Sequence, residues 1–183
     1  MSDTNVKTKQ EPGIVQLAAI LFAISAVCAL LLGLVNLITA EPIQKAKDEK
    51  TQKAMAEVLA ADSYQQIDYT GGDALVQAVY QAGDAGYVVQ VTPSGFGGVI
   101  DMMVGVGADG NVTGVSIISM SETSGLGSNA KKETFRTQYT GQPGPFAVTK
   151  DGGQINALTG ATITSRAVSS GVNAAVDAVK TLG

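Results

Sequence analysis

The sequence predicts an α+β protein: a single N-terminal transmembrane helix, followed by one domain in which helices pack on an antiparallel sheet. Three observations lead there. Residues 14–38 form an uncharged apolar run, the middle of the chain alternates apolar and polar residues between Gly-bearing turn signals, and the C-terminal stretch repeats apolar side chains at helical spacing. Such a pattern asks for helices covering a sheet, which is the economical way to bury both apolar faces.

Residues 1–13 read as an N-terminal tail, polar and too short to fold alone. The run 14–38 holds about 25 residues, against roughly 20 needed to cross the hydrocarbon core, and is predicted to be a transmembrane helix. A cleaved signal peptide is the alternative. Its apolar region would be about 7–15 residues long, and Ile38-Thr39-Ala40 is a poor cleavage site. Gln16, Ser25 and Asn36 are the polar residues of the run, facing neighbouring helices or tolerated by lipid, and Cys28 in its middle reads as a small apolar core residue.

The domain boundary is expected near Ala40. Residues 41–62 read as a stalk helix: Pro42 suits a first helical turn, and Ile43, Ala46, Ala54, Met55, Val58 and Leu59 recur roughly at helical spacing. Charges of alternating sign over residues 45–53 read as a solvated face. Residues 63–183 form the domain. A Gly-Gly turn signal lies in 68–73, strands are predicted over 75–81, 87–92, 99–106 and 112–118, and Ala108-Asp109-Gly110-Asn111 is a hairpin signal between the last two. A short helix is expected over 131–138 with Phe135 buried, then a Pro143-Gly144-Pro145 loop. A final helix starts near 162–164 with Val168, Val172, Ala175, Val176 and Val179 on its apolar face.

Composition excludes several function classes. The net charge of −4 and the lack of a basic patch argue against nucleic acid. With no His and one Cys, the chain alone builds no disulfide, iron–sulfur cluster, His-ligated haem or zinc site. Any electron carrier it holds must be organic. Asp101, Asp109, Glu122 and Asp151 form no convincing acid–base pair for hydrolysis.

The segment Asn156-Ala157-Leu158-Thr159-Gly160-Ala161-Thr162-Ile163-Thr164-Ser165 sets hydroxyls beside small residues at the start of the last helix. Free backbone N–H groups and the positive end of the helix dipole favour an anion there, and Gly160 and Ala161 let a bulky ligand approach the main chain. A Thr before a helix also serves as an ordinary N-cap. From the residues alone both readings stand, and Thr159, Thr162, Thr164 and Ser165 are chemically equivalent candidates.

This segment resembles the flavinylation motif of the FMN-binding domain family, Asp-x-x-Ser/Thr-Gly-Ala-Thr, with Asn156 standing where the motif has Asp. Ser121-Glu122-Thr123-Ser124-Gly125-Leu126-Gly127 resembles the family's Glu-Thr-Pro-Gly-Leu-Gly loop, with Ser124 in place of Pro. Gly95-Phe96-Gly97-Gly98 and the strands after it resemble its glycine-bearing turn and paired strands, so the likeness covers most of the chain. The resemblance implies FMN joined through its phosphate to Thr162 by a separate flavin transferase acting on FAD. It further implies flavin contacts from Thr159, Gly160, Ala161, Glu122, Thr123, Leu126 and Gly127. Leu126 would cover a ring face, Thr123 would bond the ribityl or phosphate, and Glu122 would do either.

In length the chain is similar to the short flavin-carrying members of this family found in Rnf-type complexes, which link ferredoxin and NAD to ion translocation. The corresponding member in sodium-pumping NADH:quinone reductases carries the same motif on a longer chain. The resemblance therefore implies an electron relay without turnover of its own, anchored in the cytoplasmic membrane beside other membrane and redox subunits, with its domain extracytoplasmic. Basic residues point the other way: Lys7 and Lys9 precede the helix while Lys45, Lys47, Lys50 and Lys53 follow it, although a long downstream domain crosses largely regardless of flanking charge. Two alternatives stay open, an FMN-binding module of another respiratory or regulatory system, and a flavin-free structural protein in which Asn156 and Ser124 mark a decayed site.

Overall fold

The computed structural model describes residues 13–182. The expected tail, apart from Gly13, lies outside the described residues. The chain divides into two compact units, Met1–Lys47 and Asp48–Gly183.

The first unit is helical. One helix, α1, runs through Ile14–Val58 with Pro42 inside it, where a boundary near Ala40 and a separate stalk helix to Asp62 were expected. Proline lacks the N–H that would bond the carbonyl four residues earlier, so the helix runs on past Pro42 with that one bond missing. Its apolar part satisfies the length and composition of a membrane span. Leu21, Phe22, Leu31 and Leu32 are exposed along it, as lipid-facing positions must be. Cys28 is exposed as well, not a core residue, because a lone helix has no interior to offer it.

In the second unit the end of α1 is part of the domain. Ala54, Met55 and Val58 are buried with Val88 and Met103 against one face of the sheet. The helix stops at Val58, short of Asp62, and side chains of the domain bond the carbonyls at its end. Thr113 Oγ1 donates to Val58 O at 2.6 Å, and Tyr64 Oη donates to Leu59 O at 2.6 Å. Gly105 and Gly114, paired across two strands, leave the room for this docking: a Cβ on Gly105 would stand 2.5 Å from the Val58 carbonyl oxygen.

The sheet is antiparallel throughout, in the order β1 (Gln65–Ile67), β2 (Val76–Gln81), β3 (Gly86–Val91), β4 (Asp101–Gly107) and β5 (Val112–Ser119). The four expected strands are present, and β1 is an addition at the edge. Its three residues Gln-Gln-Ile carry no alternation, so nothing in the sequence announced it. The expected hairpin joins β4 to β5, with Gly110 at φ +80° and Asp109 accepting from the Asn111 amide groups at 2.7 and 3.0 Å.

The opposite face of the sheet carries α3 (Thr162–Lys180), which buries Val168, Val172, Ala175 and Val176 against Val89, Val91, Met102 and Val104. Both faces are therefore covered, which explains why β4 is buried almost throughout instead of alternating. Between β5 and α3 the expected helix 131–138 is broken into a 3₁₀ turn over Gly127–Lys131, α2 (Glu133–Arg136) and a second 3₁₀ turn. The break comes at Lys132, whose ψ of 139° is extended backbone. Phe135 is buried as expected, edge-on to Tyr139, which in turn packs edge-on to Phe146.

Candidate functional site

The N-terminus of α3 opens into a cleft of about 460 Å³ lined by three segments. The turn after β3 contributes Phe96, the loop after β5 contributes Glu122, Thr123, Leu126 and Gly127, and the start of α3 contributes Gly160 to Thr164; Lys150 closes one side. Of the expected site residues, Gly160, Ala161, Thr162, Glu122, Thr123, Leu126 and Gly127 line this cleft together. Thr159 is exposed and does not line it.

The helix start is uncapped by side chains. Ala161 is the N-cap residue, with no side-chain cap bond, so Thr162 occupies the first helical position instead of capping. The first intrahelical bond runs from Ser165 N to Ala161 O at 3.0 Å. The N–H groups of Thr162, Ile163 and Thr164 consequently precede the hydrogen-bond ladder and present donors and the positive dipole end to the cleft. Gly160 makes the preceding turn at φ +74°, a conformation costly for a residue with a Cβ.

Four hydroxyls that the sequence left equivalent become distinct in the fold. Ser165 is fully buried; its Oγ donates to Ala161 O and accepts from Leu158 N, both at 3.0 Å. Thr164 is 1% exposed and donates to Glu122 Oε2 at 2.6 Å. Thr159 stands in solvent outside the cleft. Thr162 is half-buried within it, and its Oγ1 accepts a 3.4 Å hydrogen bond from Lys150 Nζ.

Glu122 ties the three segments. Its Oε1 accepts from Gly97 N at 2.9 Å and its Oε2 from Thr164 Oγ1, so each oxygen holds one partner within the protein. Small neighbours make this possible. A Cβ on Gly127 would lie 2.5 Å from Glu122 Oε2 and 2.8 Å from Thr164 Oγ1, and one on Gly95 would run into Glu122 Oε1. The carboxylate thus sits in a glycine-lined niche holding the Phe96 turn to the first turn of α3.

Phe96, Leu126 and Ile163 expose apolar surface at the cleft, at 71%, 44% and 51% respectively, an unusual grouping of large apolar side chains. Phe96, Lys150, Ile163 and Thr164 were not singled out as contacts by the sequence. Phe96 lies in the quoted glycine turn and Thr164 beside the motif, where their proximity was a usable signal. Lys150 carried none. Asn156 is exposed; its backbone N–H donates to Gln138 Oε1 at 2.7 Å, while Gln138 Nε2 donates to Asn156 O.

The FMN-binding domain family matches residues 95–177, and the family described as the RnfG N-terminal region matches residues 9–58. The chain is 35% identical, over 91% of its length and 92% of the relative's, to the G subunit of the Na(+)-translocating ferredoxin:NAD(+) oxidoreductase complex of Acetobacterium woodii. It is 35% identical, over 85% of its length and 89% of the relative's, to the G subunit of the ion-translocating oxidoreductase complex of Methanosarcina acetivorans. Against the G subunit of the proton-translocating ferredoxin:NAD(+) oxidoreductase complex of Clostridium ljungdahlii, identity is 46% over 52% of this chain and 54% of the relative.

Proposed function

We propose, from the premise that this chain belongs to the RnfG family of ion-translocating oxidoreductase complexes and carries its FMN-binding domain, that it is an electron relay holding FMN covalently through a phosphoester to Thr162. The observation that carries the reading is the state of the hydroxyls. In the cleft Thr162 offers an accessible oxygen at the helix start, while Thr164 and Ser165 are buried and engaged. The open backbone at the start of α3 and the Lys150 ammonium make that end suited to a phosphate.

The rest of the lining fits the remainder of the cofactor. The cleft volume lies within the ~300–1,000 Å³ of ligand sites, and Phe96, Leu126 and Ile163 supply apolar surface for a flat aromatic ring. FMN, when bound, supplies the one- and two-electron redox chemistry that no side chain here can perform. The protein's part is to bind and orient. Thr162 fixes the phosphate end, so retention does not depend on affinity in either oxidation state. Gly127 and Gly95 keep space for Glu122, and Glu122 sets the spacing between the Phe96 turn and α3. Glu122 therefore acts as a tie within the protein, and the acceptor capacity its carboxylate keeps on the cleft side serves the ribityl chain.

Membership of the family supplies the partners: the other subunits of an Rnf-type complex, joined in the membrane through the apolar part of α1. Electron exchange between ferredoxin and NAD, coupled to ion translocation, is the activity of the assembly and not of this chain alone. We place the N-terminus in the cytoplasm and the domain on the outer side, where the transferase acts; protease added to intact spheroplasts should then degrade the domain. The attachment is tested by denaturing electrophoresis of protein from its native membrane. The band should fluoresce as a flavin, Thr162→Ala should abolish the fluorescence without unfolding the protein, and Thr159→Ala should leave it. Undiminished fluorescence in Thr162→Ala overturns the attachment site.

A further inference from the structure

Lys150 is the one cation among the described residues lining the cleft, and Glu122 the one anion, its two oxygens already accepting from Gly97 and Thr164. Lys150 lies outside the flavinylation motif, yet its Nζ reaches Thr162 Oγ1 at 3.4 Å. Its placement is built. Lys150 sits in a 3₁₀ turn over Thr149–Asp151, closed by Asp151 N to Val148 O at 2.8 Å and by Thr149 N to Ile155 O at 2.9 Å. The next residue, Asp151, is gripped by Arg166 from α3, with Nε to Oδ2 at 2.7 Å and Nη2 to Oδ1 at 2.6 Å.

That fork has two consequences. It pins the Lys150 turn to the same helix that presents Thr162, so ammonium and hydroxyl share one frame. It also engages Asp151, the anion nearest Lys150 in the chain, whose carboxyl the Arg166 hydrogen bonds hold below the usual carboxylate range. Asp151 still feels the Lys150 charge, but its hydrogen bonds go to Arg166, and the hydrogen bond of the Lys150 ammonium goes to Thr162. Gly152 N and Gly153 N close the turn onto Thr149 O at 3.2 Å and Val148 O at 3.1 Å, and Gly153 packs on Ala147 with no room for a Cβ, which holds the turn in place.

We infer that Lys150 is the phosphate-binding residue of the flavin attachment reaction, held over Thr162 by the Asp151–Arg166 fork, and that it acts when the phosphoester forms. The inference rests on covalent attachment at Thr162. In that reaction Thr162 Oγ1 forms a bond to the FMN phosphorus of FAD as the bond from that phosphorus to the AMP oxygen breaks. AMP leaves, the hydroxyl proton passes to the transferase, and no electrons change hands. The phosphodiester retains one negative charge beside the Lys150 ammonium and the open N–H groups of α3. Asp151 and Arg166 touch neither the flavin nor the reacting atoms and are positioning residues.

The test follows covalent FMN by intact mass while full-length protein in detergent is incubated with FAD and the flavin transferase. Lys150→Met should slow incorporation about tenfold, less than the ~10²–10³ lost with a buried oxyanion donor because Lys150 is exposed. Lys150→Arg should restore most of the rate, and added salt should slow the wild type more than Lys150→Met. Asp151→Asn should fall between, with Lys150 intact but untethered. Lys180→Met, which removes the same charge at the far end of α3, should match the wild type. Wild-type rates in Lys150→Met overturn the inference while leaving attachment at Thr162 standing, and so does an equal loss in the Met and Arg variants, which would indicate packing instead of charge. Failure of the wild type itself to gain FMN on Thr162 overturns the reading beneath it.

Discussion

Removing the Glu122 carboxylate tests how the cleft is held. Thr164 is 1% exposed and its hydroxyl donates to Oε2, so Glu122→Ala strands a buried donor at a cost of ~1–3 kcal/mol. Gly97 N is exposed and exchanges its bond to Oε1 for one to water, adding at most about 1 kcal/mol. The expected loss is therefore ~1–4 kcal/mol, a fall in Tm of roughly 5–15 °C for a domain of this size. Thr164→Val alone removes the donor but leaves a half-buried carboxylate that cleft water can reach, and should cost about 1 kcal/mol. In the double variant no group is stranded. The two effects should then fall short of additivity by ~1–2 kcal/mol, measured as a double-mutant cycle by denaturant unfolding of full-length protein in detergent. Additivity within ~0.5 kcal/mol would mean that the two side chains do not support one another and that the cleft is held by something else.

Further outcomes follow from the packing. Gly105→Ala should destabilise the domain by ~2–3 kcal/mol by pushing on the Val58 carbonyl, and Gly114→Ala, where the nearest Val58 atom is 3.0 Å from the new Cβ, by clearly less; thermal melts of the two variants check the order. Burial pushes the Tyr139 phenol up to about 12. The folded state therefore keeps a proton that the unfolded chain loses near ~10, so stability falls as pH rises from ~10 to ~12. Tyr139→Phe should remove this part of the alkaline loss and cost ~1 kcal/mol at neutral pH, since Ser169 Oγ still donates to Ser165 O; melts across that pH range decide it.

What the sequence revealed divides along the distance over which each feature is encoded. The uncharged run 14–38, the Asp109-Gly110 turn and the start of α3 are local: each is written in consecutive residues or a short period, and each appears where expected. The continuation of α1 through Pro42 depends on helix on both sides, which outweighs one missing hydrogen bond. Its docking at Val58 depends on a Gly105–Gly114 pair far away in the chain. The edge strand β1 exists because β2 offers it a partner, not because Gln65 and Gln66 favour strands. At the site, the motif brought Thr162 and the loop from Glu122 to Gly127 to notice. The distinction between Thr162 and its neighbouring hydroxyls is one of burial and partners, which consecutive letters do not carry. Lys150 reaches Thr162 across a fold in which Asp151 and Arg166 join its turn to α3, a pairing of residues 15 apart that no local pattern announces.

The central claim, covalent FMN on Thr162, meets its most direct test in the mass of the denatured protein purified from its native membrane. Cleavage after Lys150 and Arg166 releases one peptide holding Thr159, Thr162, Thr164 and Ser165, and fragmentation of that peptide locates the added group. The account predicts an FMN-sized increment on the fragment ions that contain Thr162 and on none that exclude it. An unmodified peptide, or the increment on Thr159, contradicts it.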